Sequence, residues 1–162
     1  MVKLGKYAQD KVTGFKGTIT AYCKHLYGCD TYLLQPDLDK DGKMAKSHWL
    51  DEGRIEILGE KIQHEKTDLG YKFELGQKAR DKITGFEGII TACCVEMFGC
   101  DTYIVQPEVG ENGAIGESVW LDEGRIEITG AGVKPAEVQA EKNGAGDMPE
   151  TAQTDIFGKN FM

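Results

Sequence analysis

Residues 10–36 read DKVTGFKGTITAYCKHLYGCDTYLLQP, and residues 81–107 read DKITGFEGIITACCVEMFGCDTYIVQP. The match extends in both directions: residues 4–59 align with residues 75–130 without insertion or deletion, and 32 of the 56 aligned positions are identical. A duplication of this length indicates two copies of one small fold in series. Because a unit of about 55 residues is near the lower limit for independent folding, we expect the two copies to pack against each other or against another subunit.

Each repeat has the sequence pattern of an all-β fold. Short runs rich in β-branched and aromatic residues alternate with turns that contain Gly, Asp or Pro. Pro36 ends the third run, because proline cannot donate to a β-ladder. Five short strands with closely spaced turns predict one small, five-stranded, SH3-like barrel per repeat.

The chain therefore divides into four parts: a first barrel repeat at residues 1–59, a charged linker at 60–74, a second barrel repeat at 75–130, and a tail at 131–162. The tail is rich in Gly, Ala and polar residues, a composition typical of extended or disordered segments. The end of the tail carries Ile156, Phe157 and Phe161, and this apolar cluster predicts a docking peptide.

Alternation along the second predicted strand assigns its side chains to two faces. The face of Ile19, Ala21 and Cys23 is the same in both repeats, whereas the face of Thr18 and Tyr22 changes. We therefore expect the unvaried face to form the core, and the variable face to look outward or toward a partner.

The five cysteines of the chain leave two interpretations open. Because the N-terminus lacks an apolar signal-peptide core, we expect reduced thiols that pack as small hydrophobes. The alternative is a bridge within each repeat, Cys23–Cys29 and Cys94–Cys100. Cys93, which replaces Tyr22 on the variable face, is expected to react readily with a thiol reagent, whereas Cys23 and Cys94 are expected to be protected.

The segment WLDEGR occurs unchanged at residues 49–54 and 120–125. As a recognition patch it would offer tryptophan for stacking and arginine for a carboxylate or phosphate. As a structural element, its Trp would cap a barrel and Arg54 would pair with Asp10 or Asp51; the residues favour this second interpretation. The candidate binding residues, all aromatic, apolar or cationic, are Trp49, Arg54, Trp120, Arg125, Tyr22, Ile156, Phe157 and Phe161.

Other motifs give weaker signals for chemistry. Residues 37–42 begin like a calcium loop, but the twelfth position is His48 and the β pattern excludes flanking helices. Residues 13–17 resemble an anion-binding nest without the lysine and helix of a P-loop. No Ser–His pair recurs in both repeats, and zinc-type Cys and His spacings are absent from the sequence. We therefore expect no enzyme activity, no metal and no cofactor.

Charge argues against nucleic acid as a partner. The net charge is −8; Lys and Arg minus Asp and Glu give 8 − 8 = 0 for residues 4–59 and 4 − 10 = −6 for residues 75–130. Nucleic-acid binders normally carry a basic stripe. No stretch approaches the roughly 20 apolar residues of a membrane helix, so a membrane partner is not expected either.

The opening of each repeat is similar to the KOW/SH3-like pattern. The complete pattern DxxTGFxGxxTA…GCxxYLxQP…WxDE resembles a group of short, single-repeat proteins encoded by tailed bacteriophages and prophages, and the resemblance covers both repeats. Those proteins are mostly of unknown function. The resemblance, the duplication and the disorder-like tail together lead us to expect a non-enzymatic virion accessory protein, a capsid-decoration or joining component whose partners are other phage structural proteins or further copies of itself. The alternative is a phage protein of the host cytoplasm that binds a host protein or sequesters a small nucleotide signal to blunt defence.

Overall fold

The computed structural model describes residues 2–64 and 70–140, and each repeat within them contains five strands in the same order. The strands of the first repeat are β1 Lys6–Asp10, β2 Lys16–His25, β3 Thr31–Gln35, β4 His48–Asp51 and β5 Ile55–Glu60. Those of the second repeat are β6 Lys78–Asp81, β7 Glu87–Glu96, β8 Thr102–Gln106, β9 Val119–Asp122 and β10 Ile126–Gly130. The all-β prediction is therefore confirmed.

The remaining regular structure is short. A 3₁₀ turn joins the fourth and fifth strands of each repeat, at Glu52–Arg54 and Glu123–Arg125. One α-helical turn, α1, covers Pro135–Val138 at the start of the tail. Across residues 2–64 and 70–140, no helix has the length and apolar character needed to cross a membrane.

All ten strands belong to one antiparallel sheet that is not closed. Within the first repeat the order is β5-β1-β2-β3-β4, and the second repeat has the equivalent order β10-β6-β7-β8-β9. Strand β2 pairs with β7 and joins the two repeats. Among the described strands, β4 and β5 lie at the two edges of the first repeat and form no hydrogen-bonded ladder with each other, so the pairings describe an open sheet.

The β2–β7 pair relates the repeats by an approximate two-fold axis. Cys23 lies directly opposite Cys94, its own equivalent in the duplication, and Tyr22 lies opposite Val95. On the inner side, Val95 and Met97 of the second repeat are buried in the core of the first, beside Tyr22. The expectation that the two copies pack against each other is confirmed.

A β-bulge in β2 overturns the predicted division of its faces. The register with β3 shifts between Ile19 and Ala21, so Thr20 is an extra residue, and a one-residue shift exchanges the faces of all side chains beyond it. Ile19 and Tyr22 consequently share the core of the first repeat, whereas Cys23 lies on the opposite face in a separate cluster. The prediction that Tyr22 faces outward and Cys23 faces the core is wrong.

The same bulge in β7 buries Cys93, which the sequence predicted to be outward-facing and reactive. Its side chain lies in the core of the second repeat, where it is much smaller than the equivalent Tyr22. The ring of Phe73, from the segment between the repeats, packs edge-on against Tyr103 with centroids 5.4 Å apart. This contact corresponds to the Tyr22–Tyr32 contact of the first core, so an aromatic ring from the joining segment compensates for the lost tyrosine.

Candidate interaction surface

The two copies of WLDEGR present their tryptophans on the outside of the cores. Strand β4 alternates, so Leu50 is buried in the first core while Trp49 and Asp51 point to the opposite side. Strand β9 repeats this arrangement with Leu121 inward and Trp120 outward. The alternation of a half-buried strand therefore fixes which face carries the aromatic rings.

Trp49 and Trp120 stack on each other, although they belong to different repeats. Their ring centroids are 5.9 Å apart and the ring planes are inclined by 29°. Four strands separate β4 from β9, so the two strands would be roughly 24 Å apart in a flat sheet at about 4.8 Å per strand. The contact between the rings therefore requires the sheet to curve so that these opposite corners approach each other, as the regular twist of β-sheets allows. We call these two residues the tryptophan pair.

The tryptophan pair remains accessible to a partner. Trp49 is 38 % exposed and Trp120 is 48 % exposed, so each ring has surface in contact with solvent in addition to the surface used for stacking. An exposed aromatic pair is a large, rigid apolar surface with indole N–H donors at its rim. Such a surface suits protein contacts or the stacking of a planar ligand.

The face that carries the tryptophan pair is centred on a disulfide that the sequence did not predict. Cys23 and Cys94 are bonded to each other, with Cα atoms 4.1 Å apart, and they pack with Ala92 and the partly buried Ile104. Neither of the two sequence interpretations, bridges within each repeat or reduced thiols at these positions, describes this cross-repeat bond. The duplication contained one usable signal, since a residue on a two-fold axis must meet its own equivalent.

One row of paired residues across this face is symmetric about the disulfide. Thr31 lies beside Cys23, and Thr102 lies beside Cys94; Asp51 and Asp122 complete the row on the outer strands. The symmetry is broken locally, because the Thr31 hydroxyl is 3.0 Å from His25 Nε2, while the equivalent Thr102 hydroxyl is buried without a hydrogen-bond partner among the described residues.

Arg54 and Arg125 do not belong to the tryptophan face, because buried aspartates hold both. Arg54 donates to Asp10 through Nε at 2.9 Å and Nη2 at 2.5 Å, and Arg125 donates to Asp81 at 3.0 and 2.6 Å. Bidentate pairs of this kind are among the strongest side-chain interactions. The hydrogen bonds from arginine hold the pKa of each aspartate well below its usual range, and they raise the pKa of each arginine. The structural interpretation of Arg54, pairing with Asp10, is the one observed.

The turn at residues 13–17 is likewise filled from within the chain. The Asp10 carboxylate accepts the amide protons of Val12 at 3.1 Å and Thr13 at 3.3 Å, together with the Thr13 hydroxyl at 2.5 Å. The amide of Gly14 donates to the carbonyl of Asp10. The amides that would face an external phosphate are thus already bonded to Asp10, which is a correction to the anion-nest alternative.

Tyr22, the last of the predicted binding residues that the structure describes, belongs to the core. Its side chain is buried and its hydroxyl donates to Asp30 at 2.8 Å. Burial, followed by the bond to Asp30, raises the pKa of Tyr22 well above its usual value. The tail candidates Ile156, Phe157 and Phe161 lie outside the described residues. Of the eight sequence-predicted binding residues, the structure therefore brings together Trp49 and Trp120 on one accessible face.

A cleft of about 410 Å³ lies between the repeats. It is lined by Lys24, His25 and Phe73 together with Cys93. Burial raises the pKa of the Cys93 thiol to about 12, so the thiol is protonated at neutral pH and is a weak nucleophile. Within the described part of the chain, no group of three or more His, Cys, Asp or Glu side chains is arranged to hold a metal ion.

Comparison of the chain with protein-family models gave no match, and neither curated proteins nor solved structures showed significant similarity to it.

Proposed function

We propose that the chain is a non-enzymatic bacteriophage accessory protein that binds neighbouring subunits of the virion, as a decoration or joining component. The observation that carries the proposal is the tryptophan pair, because Trp49 and Trp120 form an accessible aromatic surface on the approximate two-fold axis. Tryptophan dominates the energy of many protein interfaces. The motif resemblance to phage-encoded proteins supplies the virion context.

The architecture around the pair suits a rigid connector. The repeats are joined by a continuous strand pair, by a shared core and by the Cys23–Cys94 bond. A rigid binding surface loses less conformational entropy on association than a mobile one. In the proposal, the C-terminal arm with Ile156, Phe157 and Phe161 contributes a second contact by lying along a neighbouring subunit.

We also propose that each repeat is an SH3-like barrel. The strand order β5-β1-β2-β3-β4 and the long, bulged strand β2, which pairs with β1 near its start and with β3 along its length, support this assignment. A crystal structure in which β4 and β5 lie beside each other and close each repeat would establish it, and one in which these two edges lie far apart would exclude it.

Quantitative mass spectrometry of gradient-purified particles tests the virion proposal. We expect many copies of the chain per particle, and we expect Trp49→Ala with Trp120→Ala to lower that number at least tenfold. Ile83→Ala is the matched control, because Ile83 is also an exposed apolar side chain but lies outside the tryptophan pair. Absence of the wild-type chain from particles, with abundance in infected cells, would refute the proposal.

The same surface gives the alternative, sequestration of a small nucleotide, one supporting observation, since indole rings stack well on bases. The expected arginine and tyrosine partners are absent from this face, because Arg54, Arg125 and Tyr22 are engaged elsewhere. The chain contains two tryptophans, Trp49 and Trp120, so intrinsic tryptophan fluorescence reports on this surface alone. Saturable quenching by micromolar cyclic dinucleotides would favour sequestration over the virion role.

A further inference from the structure

The face that carries the tryptophan pair also carries a carboxylate beside each ring. Asp51 follows Trp49 by two positions in β4, and Asp122 follows Trp120 by two positions in β9. Since alternate residues of a strand point to the same side, each aspartate shares the face of its tryptophan, about 6.6 Å further along the strand. Both aspartates are exposed. Each half of the face therefore presents one indole ring and one carboxylate within reach of a single side chain of a partner.

Among the described residues, neither carboxylate has a hydrogen bond or an ion pair. Asp51 and Asp122 occupy the N-cap positions of the two 3₁₀ turns, but neither side chain makes a capping hydrogen bond. Thr102 lies directly opposite Asp122, yet its buried hydroxyl has no hydrogen-bond partner in the described part of the chain. The two carboxylates are consequently available to a ligand.

The arginines of WLDEGR do not supply the missing cation. Each aspartate lies close enough to the arginine of its own copy for the two charges to interact. Both arginines, however, donate two hydrogen bonds to a buried aspartate, whose charge offsets theirs. The cation–π contacts of the described residues join Lys61 to Tyr7 and Lys72 to Phe73, so in that part of the chain no cation lies over the tryptophan pair.

The rest of the face adds negative charge. The row of Trp49 runs across β3 and β2 to Glu96 on β7, and the row of Trp120 runs across β8 and β7 to His25 on β2. Together with the row through the disulfide, these rows contain three carboxylates, one imidazole and no lysine or arginine. The face is therefore acidic as well as aromatic, and it disfavours an anionic ligand.

We propose that the tryptophan pair recognises arginine side chains on a basic surface of its protein partner, one guanidinium held by Trp49 and Asp51 and a second by Trp120 and Asp122. The inference rests on the proposed function, because the partner is the virion subunit that the pair binds. A guanidinium group is planar, so it stacks on an indole ring while it donates two hydrogen bonds to a carboxylate. Lysine offers a point charge without this stacking and is the weaker match.

A short peptide tests this chemistry on the purified full-length chain. Acetylated tetra-arginine amide should change the fluorescence of Trp49 and Trp120 saturably, and these are the two tryptophans of the chain. The corresponding citrulline peptide keeps the planar side chain but lacks its charge, so we expect it to bind about tenfold more weakly. The variant Asp51→Asn/Asp122→Asn should weaken binding of the arginine peptide by about the same factor.

The matched control is Asp41→Asn/Glu111→Gln, which removes the same two negative charges from exposed positions outside the tryptophan face. We expect this control to bind the arginine peptide like the wild type, which separates recognition at the face from attraction by the net charge of −8. Circular dichroism should show the same fold for both double variants, because all four carboxylates are exposed.

Rebinding of the chain to particles that lack it extends the test to the virion partner. The Asp51→Asn/Asp122→Asn variant should rebind about tenfold more weakly than the wild type, whereas the control should rebind equally well. Wild-type rebinding should also weaken between about 0.1 M and 1 M salt, since the screening length falls from about 10 Å to about 3 Å.

The outcomes separate this inference from the virion role. If the wild type binds particles and the Asp51→Asn/Asp122→Asn variant binds equally well, the inference is overturned while the virion role stands. Equal losses in both double variants would also overturn it, because net charge would then govern binding. If the wild type is absent from particles but binds the arginine peptide through the two aspartates, the virion role fails and arginine recognition stands. Tighter binding of a cyclic dinucleotide than of the arginine peptide would overturn the inference in favour of an anionic ligand.

Discussion

Cys23 and Cys94 are equivalent residues of the two repeats, and they face each other across β2 and β7 in a covalent bond. The bond lies on the approximate two-fold axis, on the same face of the sheet as the tryptophan pair. The two repeats therefore behave as the halves of a symmetric dimer that has been fused into one chain and locked at its centre. Self-complementary contacts of this kind are the mark of a two-fold interface.

Removal of the central disulfide should reduce stability substantially. The bond closes a loop of 71 residues, and the chain-entropy model assigns about 4 kcal/mol to a loop of that length. We expect the Cys23→Ala/Cys94→Ala variant to lose about this amount of unfolding free energy in urea. Wild-type protein in excess reductant should behave in the same way.

The matched control for this measurement is Cys29→Ala, because Cys29 is an exposed free thiol. Its unfolding free energy should equal that of the wild type. An identical urea midpoint for oxidised and reduced wild type would show that the bond contributes nothing.

The tryptophan pair should couple the repeats energetically. We expect Trp49→Ala and Trp120→Ala each to cost about 1–3 kcal/mol, and a double-mutant cycle to give a coupling of about 1 kcal/mol, the usual value of an aromatic pair. Stacked indoles should also give an exciton couplet in the far-ultraviolet circular dichroism spectrum, which either variant should abolish. Strictly additive effects, with no couplet in the wild type, would argue against stacking in solution.

Acid should destabilise the protein through Asp10 and Asp81. The arginine hydrogen bonds lower the folded-state pKa of both below the reference value of 3.8, so the unfolded chain binds more protons than the folded chain in that range. This contribution to stability is complete above about pH 5, declines as the pH falls through 3.8, and is lost below the folded-state pKa.

The double variant Asp10→Asn/Asp81→Asn should therefore be less stable at pH 7 and should show a shallower decline between pH 5 and pH 2. Urea denaturation across this range measures both effects. Asp41→Asn, a change at an exposed loop carboxylate, is the control and should leave the slope unchanged. An unchanged slope in the double variant would show that other carboxylates dominate acid unfolding.

Thiol labelling distinguishes the observed fold from the face assignment predicted by strand alternation. Without reductant we expect Cys29 and Cys100 to label in the native protein, because both are exposed. Cys93 should be protected, since it is fully buried and burial raises its pKa to about 12. Reductant with denaturant should expose all five thiols. Rapid native labelling of Cys93 would place β7 in a different register.

Several features of the fold are predictable because they depend on local sequence. Alternating residues and Gly-containing turns predict the five strands of each repeat. The structural interpretation of WLDEGR predicts that Arg54 pairs with Asp10 or Asp51, and Asp10 is the partner observed. The sequence-based assignment of inward and outward side chains was wrong in β2 and β7 beyond their bulges. The bulges at Thr20 and Thr91 depend on how β2 and β7 pair with their neighbours, and alternation within one strand cannot report on that pairing.

The sequence by itself determined that the chain is a duplicated all-β fold, because repeat length, residue alternation and turn residues are local properties. Only the tertiary structure decided what the recurring residues do. It brought Cys23 to Cys94 and Trp49 to Trp120, and it committed Arg54 and Arg125 to buried aspartates. These contacts join residues 44 or 71 positions apart, and they follow from sheet twist and strand register, which no single segment encodes.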